Sequence, residues 1–148
     1  MESTTASNGF YLGWLHIPIF LDFVIYSEQT VSEAGLYISL SSEFDAVFTP
    51  NEFAVYVNGT EINYGSFGGL FDSEYRETGI LSFSECAVIA AGLTLNAGEN
   101  IIRIEVKPNT LWGERCGGPN IDYIRIENFG TENTLSWRPF TYNLDHLR

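Results

Sequence analysis

The chain has 148 residues, enough for one domain that buries about two thirds or more of its unfolded surface. Its formal charge is −12, with a single lysine, Lys107, against nineteen carboxylates. That balance excludes binding to a phosphate backbone, which draws on Lys and Arg. No apolar run approaches the roughly 20 residues of a membrane span, and Met1 to Thr5 lacks the basic start and apolar middle of a signal peptide. Neither nucleic acid nor membrane is therefore expected as a partner, and the sequence reads as a mature form or a piece of something longer.

Eleven Phe, eight Tyr and fourteen Gly in a chain poor in helix-forming runs favour an all-β fold. Met1 to Gly9 is small and polar and reads as a poorly ordered lead-in. Phe10 to Ile19 is apolar but interrupted by Gly13 and Pro18, which predicts a short strand followed by an irregular segment. Leu21, Phe23 and Ile25 then alternate with Asp22, Val24 and Tyr26, the period of a strand. Ser32-Glu33-Ala34-Gly35 is expected to turn the chain, and Leu36 to Ser41 alternates cleanly as the next strand. Ser42 to Glu52 is a loop.

Phe53, Val55 and Val57 alternate with Ala54 and Tyr56, and Asn58-Gly59 behind them is a hairpin signal. Asn58-Gly59-Thr60 also matches an N-glycosylation acceptor, but the turn already accounts for the Asn-Gly pair. Asn63 to Glu77 shows no period and reads as a long surface excursion. Ile80 to Leu95 returns to strand, with a bulge or bend expected at Gly92.

The stretch from Leu95 to Asn128 carries the strongest pattern. Asn96-Ala97-Gly98 makes a turn, and Ile102, Ile104 and Val106 then face opposite to Ile101, Arg103 and Glu105. Ile124 and Ile126 alternate with Tyr123, Arg125 and Glu127, which puts Asp122 in register with the buried set. Lys107 to Pro119 is far longer than a hairpin needs and is a candidate functional loop. After Asn128 the pattern weakens, but Trp137, Phe140 and Tyr142 make residues 129–148 a tail that packs back on the domain. Seven to nine short strands at regular spacing predict a single all-β domain over residues 1–148, an antiparallel two-sheet β-sandwich of jelly-roll type.

Cys86 and Cys116 are either free thiols or one disulfide closing a loop of about 30 residues. His16 and His146 stand near no nucleophile motif, and the G-x-S-x-G, P-loop, H-E-x-x-H and paired C-x-x-C signatures are missing. Most of the acids alternate with apolar residues on strands or sit in turns, which reads as a solvated face rather than as catalytic pairs.

Six fragments occur in the order seen in carbohydrate-binding modules of families 6 and 35. They are Ser7-Asn8-Gly9-Phe10-Tyr11-Leu12-Gly13-Trp14, Leu21 to Ile25, Glu33 to Tyr37, Val55 to Gly59, Leu95 to Ile104, and Pro119-Asn120-Ile121-Asp122-Tyr123-Ile124. Together they cover about Ser7 to Asn128, and the chain resembles that jelly-roll group.

The resemblance implies a noncatalytic, extracellular or cell-surface module that binds a polysaccharide or oligosaccharide through loops at one end of the sandwich. It also implies a covalently linked catalytic or surface domain in the parent protein. Tyr11, Trp112 and Asn120 are similar in position to the aromatic pair and asparagine that hold a sugar in related modules. An aromatic plane covers the apolar face of a pyranose ring, and an amide fixes its hydroxyls. Each of these residues reads equally as core or rim. Arg115 either pairs with an acidic sugar or makes a surface ion pair with Glu114 or Glu99. The resemblance further places Asp122 at a structural calcium (Ca2+) site, although the upstream glutamates of the pattern are reduced here to Glu2. Two other classes stand beside this one: a structural or adhesion domain that has lost the sugar site, and a small glycan-active enzyme.

Overall fold

The computed structural model describes residues 6–8, 10–13, 15, 19–43, 46–70, 81–108, 118–128, 135–137 and 141–142. They form nine strands: β1 (Phe20–Ser27), β2 (Val31–Ser41), β3 (Phe53–Val57), β4 (Thr60–Glu61), β5 (Ser84–Leu95), β6 (Gly98–Val106), β7 (Asn120–Asn128), β8 (Leu135–Trp137) and β9 (Thr141–Tyr142). One sheet runs β4-β3-β6-β1-β8, with β9 also paired to β1, and the other runs β5-β2-β7. Every pairing is antiparallel.

Alternation sets which face each strand buries. Ile102, Ile104 and Val106 of β6 are nearly inaccessible and pack with Ile25 of β1, Val55 of β3, and Leu36, Ile38 and Leu40 of β2. Each such side chain stabilises the fold by about 1.5–3 kcal/mol relative to exposure. Between β3 and β4, Asn58 and Gly59 both take positive φ, 49° and 83°, as a two-residue turn of type I′ requires. At Gly92, also at positive φ, β5 gains residues against β2: Ala34 pairs with Leu93 and Leu36 with Ile89. The bulge expected there is present.

Several expectations are corrected. Ser32-Glu33-Ala34-Gly35 lies inside β2, and the chain reverses instead at the exposed Glu28, Gln29 and Thr30. Gly35 serves a close strand approach, because a Cβ there would meet Ala90 O and Tyr37 Cε2, each at 2.8 Å. The segment after Asn63 is a surface excursion only in part: Phe67 pairs with Phe48, Tyr64 stacks on Phe67 at 4.1 Å, and Phe67 and Leu70 are buried. Within Phe10 to Ile19, the strand reduces, among the described residues, to isolated bridge positions at Phe10 and Leu12, the latter paired with Ile121.

A further correction concerns Asp122. Ser39 pairs with Tyr123 and Leu40 with Ile121, so Asp122 is the extra residue of a β-bulge. The bulge lets both Ile121 and Ile124 face the core, three positions apart, and removes Asp122 from the buried register. Its carboxylate turns to Ser7, accepting from Ser7 N at 3.0 Å on both oxygens and from Ser7 Oγ at 2.8 Å. Ser7, in the stretch expected to be poorly ordered, is thereby anchored. Cys86 is a free, half-buried thiol, while Cys116 lies outside the described residues.

Candidate functional site

The end of the sandwich where β6 finishes and β7 begins gathers the residues of interest. Leu12 exchanges two backbone hydrogen bonds with Ile121, each 2.8 Å, so the segment before it runs beside β7 on the side away from β2. This places Tyr11 and Asn120 on either side of one bridge although they are far apart in sequence. Tyr11 is half-buried, its ring 5.6 Å from that of Phe83 at 55°. Asn120 is buried and pairs in register with Ser41 of β2. Phe83 immediately precedes Ser84, which pairs with Leu40, so it reaches the same row from the β5 side. Ser41 is fully buried, and among the described residues its hydroxyl has no hydrogen-bond partner.

The long loop is fixed at both ends. Lys107 N donates to Glu52 O at 2.9 Å, and Gly118 N donates to Leu15 O at 2.5 Å. Gly118 is held where only glycine fits, since a Cβ would lie 2.8 Å from Val106 Cγ2, and Pro119 beside it is fully buried. Trp112 and Arg115, between these anchors, lie outside the described residues. The structure thus places Tyr11 and Asn120 on the two flanks of one bridge, with Tyr11 opposite Asp122, and adds two residues that the sequence does not mark, Phe83 and Ser41. No motif marks either one; only the strand register brings them to this end.

Asp122 borders the same end. Among the described residues no group of three or more His, Cys, Asp or Glu side chains is gathered as a metal centre. Away from this end, an open depression of about 630 Å³ lies on the outer face of the larger sheet, lined by Tyr56, Asn58, Glu99, Ile101, Arg103 and Glu105. Arg103 there is committed to Asp22 by two hydrogen bonds of 2.7 Å, which raise the guanidinium pKa, and it covers the Phe20 ring at 4.1 Å. On the smaller sheet Arg125 stacks over Tyr37 at 4.3 Å and binds Glu85 through two hydrogen bonds, so both sheet faces carry their own ion pair.

A scan against protein-family models matches none, and a search of curated proteins returns no match. Among solved structures, the chain is similar to a family 35 carbohydrate-binding module from an environmental isolate, with a TM-score of 0.63 and 15% identity, covering 93% of this chain and 85% of that one. It is similar to the GH26-CBM35 β-(1,4)-mannanase of Podospora anserina, with a TM-score of 0.59 and 21% identity, covering 88% of this chain but 24% of that longer one. A third likeness is to a Xyl-CBM35 solved in complex with a glucuronic acid-containing disaccharide, with a TM-score of 0.55 and 15% identity, covering 89% of this chain and 81% of that one. The fold is therefore the jelly-roll sandwich of family 35 carbohydrate-binding modules.

Proposed function

We propose that the chain is a noncatalytic carbohydrate-binding module that holds a polysaccharide or oligosaccharide at the β6–β7 end of the sandwich. Tyr11, Asn120, Trp112 and Arg115 are the residues assigned to the ligand, with Phe83 supporting the Tyr11 ring. The observation that carries the reading is the placement of Tyr11 and Asn120 on the two flanks of the Leu12–Ile121 bridge, beside the end of the loop that bears Trp112. Ring stacking on a sugar is worth about 0.5–1.5 kcal/mol per ring by analogy with aromatic pairs, and amide hydrogen bonds set orientation. The module serves a covalently linked catalytic or surface domain in an extracellular setting; the mannanase likeness, in which such a module is part of a larger enzyme chain, supports this.

Calcium at Asp122 belongs to the same proposal. A carboxylate is a hard donor that suits the ion, and Ser7 Oγ is a further oxygen 2.8 Å from Asp122 Oδ1. The assignment rests on Asp122 with Ser7 Oγ beside it, and sugar binding is assigned to the other residues.

A second reading has two observations in its favour: Tyr11 packs on Phe83 and Asn120 is buried, as in a structural or adhesion domain without a sugar site. A binding screen against soluble plant and microbial polysaccharides, with calcium and with a chelator, decides between them. Retardation by one polysaccharide class, lost in Trp112→Ala, is expected. No retardation by any class, from a well-folded wild-type protein, would sink the proposal in favour of the adhesion domain.

A further inference from the structure

The sequence contains two Asn-Gly dipeptides, Asn8-Gly9 and Asn58-Gly59. An asparagine before glycine is prone to deamidate, because the glycine amide nitrogen, unhindered by a side chain, reaches the asparagine Cγ. The nitrogen loses its proton to base and attacks, and Nδ2 leaves as ammonia. Water then opens the cyclic imide at either carbonyl, giving aspartate or isoaspartate. The sum is one water consumed and one ammonia released. The reaction needs the asparagine side chain to swing free toward the backbone that follows it.

The two side chains are held very differently. Asn58 Nδ2 donates to Asn100 Oδ1 at 2.8 Å, and Asn58 Oδ1 accepts from Ile101 N at 2.9 Å, so both ends of its amide are engaged. Asn100 is itself fully buried and fixed, accepting from Asn96 N and donating to Asn96 O and Gly98 O at 2.8, 2.8 and 3.2 Å. Asn58 thus remains clamped although the residue is exposed and borders an open depression. Asn8 is exposed too, and among the described residues its side chain makes one longer hydrogen bond, from Phe10 N to Oδ1 at 3.2 Å.

We propose that Asn8 is a site of spontaneous deamidation beside the anchor of the N-terminal segment, whereas Asn58 is shielded from the same chemistry by Asn100 and Ile101. The consequence at Asn8 follows from its tethers. Ser7 is fixed to Asp122 and Leu12 to Ile121, so isoaspartate at position 8 inserts an extra backbone carbon into a span pinned at both ends. The new carboxylate also stands one residue from the serine that holds Asp122, where like charges oppose the contact. Modification at Asn8 therefore loosens the segment that positions Tyr11. The site stands on the two asparagine environments alone and does not depend on what the module binds.

The test is peptide mapping by mass spectrometry after incubation at mildly alkaline pH, in native buffer and in urea. Two hydrogen bonds of ordinary net strength slow a reaction that must break them by about tenfold to thirtyfold. In the folded chain Asn8 is expected to convert at least about tenfold faster than Asn58, and in urea the two rates converge. Asn100→Ser is expected to raise the rate at Asn58 and leave Asn8 unchanged. The wild-type comparison between native buffer and urea stands on its own where that variant folds poorly. Equal rates in the folded chain, or a difference that persists in urea, overturns the assignment. The consequence is read separately: aged wild type should melt below an Asn8→Gln protein aged in parallel, and identical melting would overturn it.

Discussion

Ser7 and Asp122 stand 115 positions apart and meet through three hydrogen bonds, two from the Ser7 backbone N–H shared across the carboxylate and one from its hydroxyl. The contact fastens the N-terminal segment to the bulge at the start of β7, next to Tyr11. Asp122→Ala removes every acceptor at once and is expected to cost about 1–3 kcal/mol, in the range of hydrogen bonds to a charged group. Ser7→Ala keeps the backbone bonds and should cost under about 1 kcal/mol. Urea midpoints of the two variants check the order; a Ser7→Ala loss equal to that of Asp122→Ala would show that the backbone share contributes nothing.

Asp122 also shows where the sequence is legible and where it is not. Period-two alternation placed the core faces of β6 and β1, and Asn58-Gly59 named its turn, because these depend on residues adjacent in the chain. The bulge at Asp122 depends on pairing with Ser39 and Leu40, some eighty positions away, and strict alternation counted through it. Gly35 is ambiguous in the sequence for a related reason. A glycine marks a turn or a tight approach alike, and only the nearness of Ala90 O and Tyr37 distinguishes them. At the candidate site, Tyr11 and Asn120 could be nominated by resemblance, while Phe83 and Ser41 enter only through register.

On the outer face of the larger sheet, Asp22 and Arg103 are cross-strand neighbours joined by two hydrogen bonds of 2.7 Å. Their side chains differ in exposure, 41% for Arg103 against 11% for Asp22. Removing Asp22 frees an arginine that can turn to water, at a cost of about 1–2 kcal/mol. Removing Arg103 leaves a largely buried carboxylate without its partner and uncovers the Phe20 ring, at a cost of about 2–3 kcal/mol. Arg103→Ala should therefore unfold at lower urea than Asp22→Ala, and the reverse order would refute the asymmetry.

The pair on the smaller sheet predicts a pH dependence. Hydrogen bonds from Arg125 hold the Glu85 carboxyl below its ordinary value, against a smaller opposing effect of burial, and Tyr123 donates to the same carboxylate at 2.9 Å. A depressed folded pKa means the ionised form is favoured in the native state. Its contribution is full above the unfolded glutamate value near about 4.3 and is lost as the pH falls through the lower folded value. Glu85→Gln deletes this contribution, so the stability gap between wild type and variant should narrow between pH 6 and pH 3. A gap that stays constant over that window would remove Glu85 from the account.

Cys86 carries a free thiol whose pKa burial pushes up, with Glu85 adding to the effect. Reduction of the native protein should leave the melting temperature unchanged and reveal no new thiol at Cys86. A disulfide closing about 30 residues would instead contribute about 3–4 kcal/mol, and its reduction would lower the melting temperature by roughly 10 °C. Alkylation at pH 8 should be slow in the folded chain and speed up in urea, since the thiolate is the reactive form. Rapid alkylation in native buffer would contradict the raised value.

At the β6–β7 end, the decisive contrast is between Tyr11 and Phe83. Their rings pack 5.6 Å apart, so Phe83 supports Tyr11 whether Tyr11 stacks on a sugar or only completes the fold. If Tyr11 is a ligand platform, Tyr11→Phe keeps the plane and most of the affinity, whereas Tyr11→Ala loses about 0.5–1.5 kcal/mol of stacking, up to roughly tenfold in Kd. Phe83→Ala should act chiefly on stability, with a smaller loss of binding because the Tyr11 ring loses its backing. Titration of each variant with the polysaccharide that retards the wild type, beside its urea midpoint, separates these effects. Equal binding by wild type and Tyr11→Ala would place Tyr11 among the packing residues and leave the ligand to Trp112, Arg115 and Asn120.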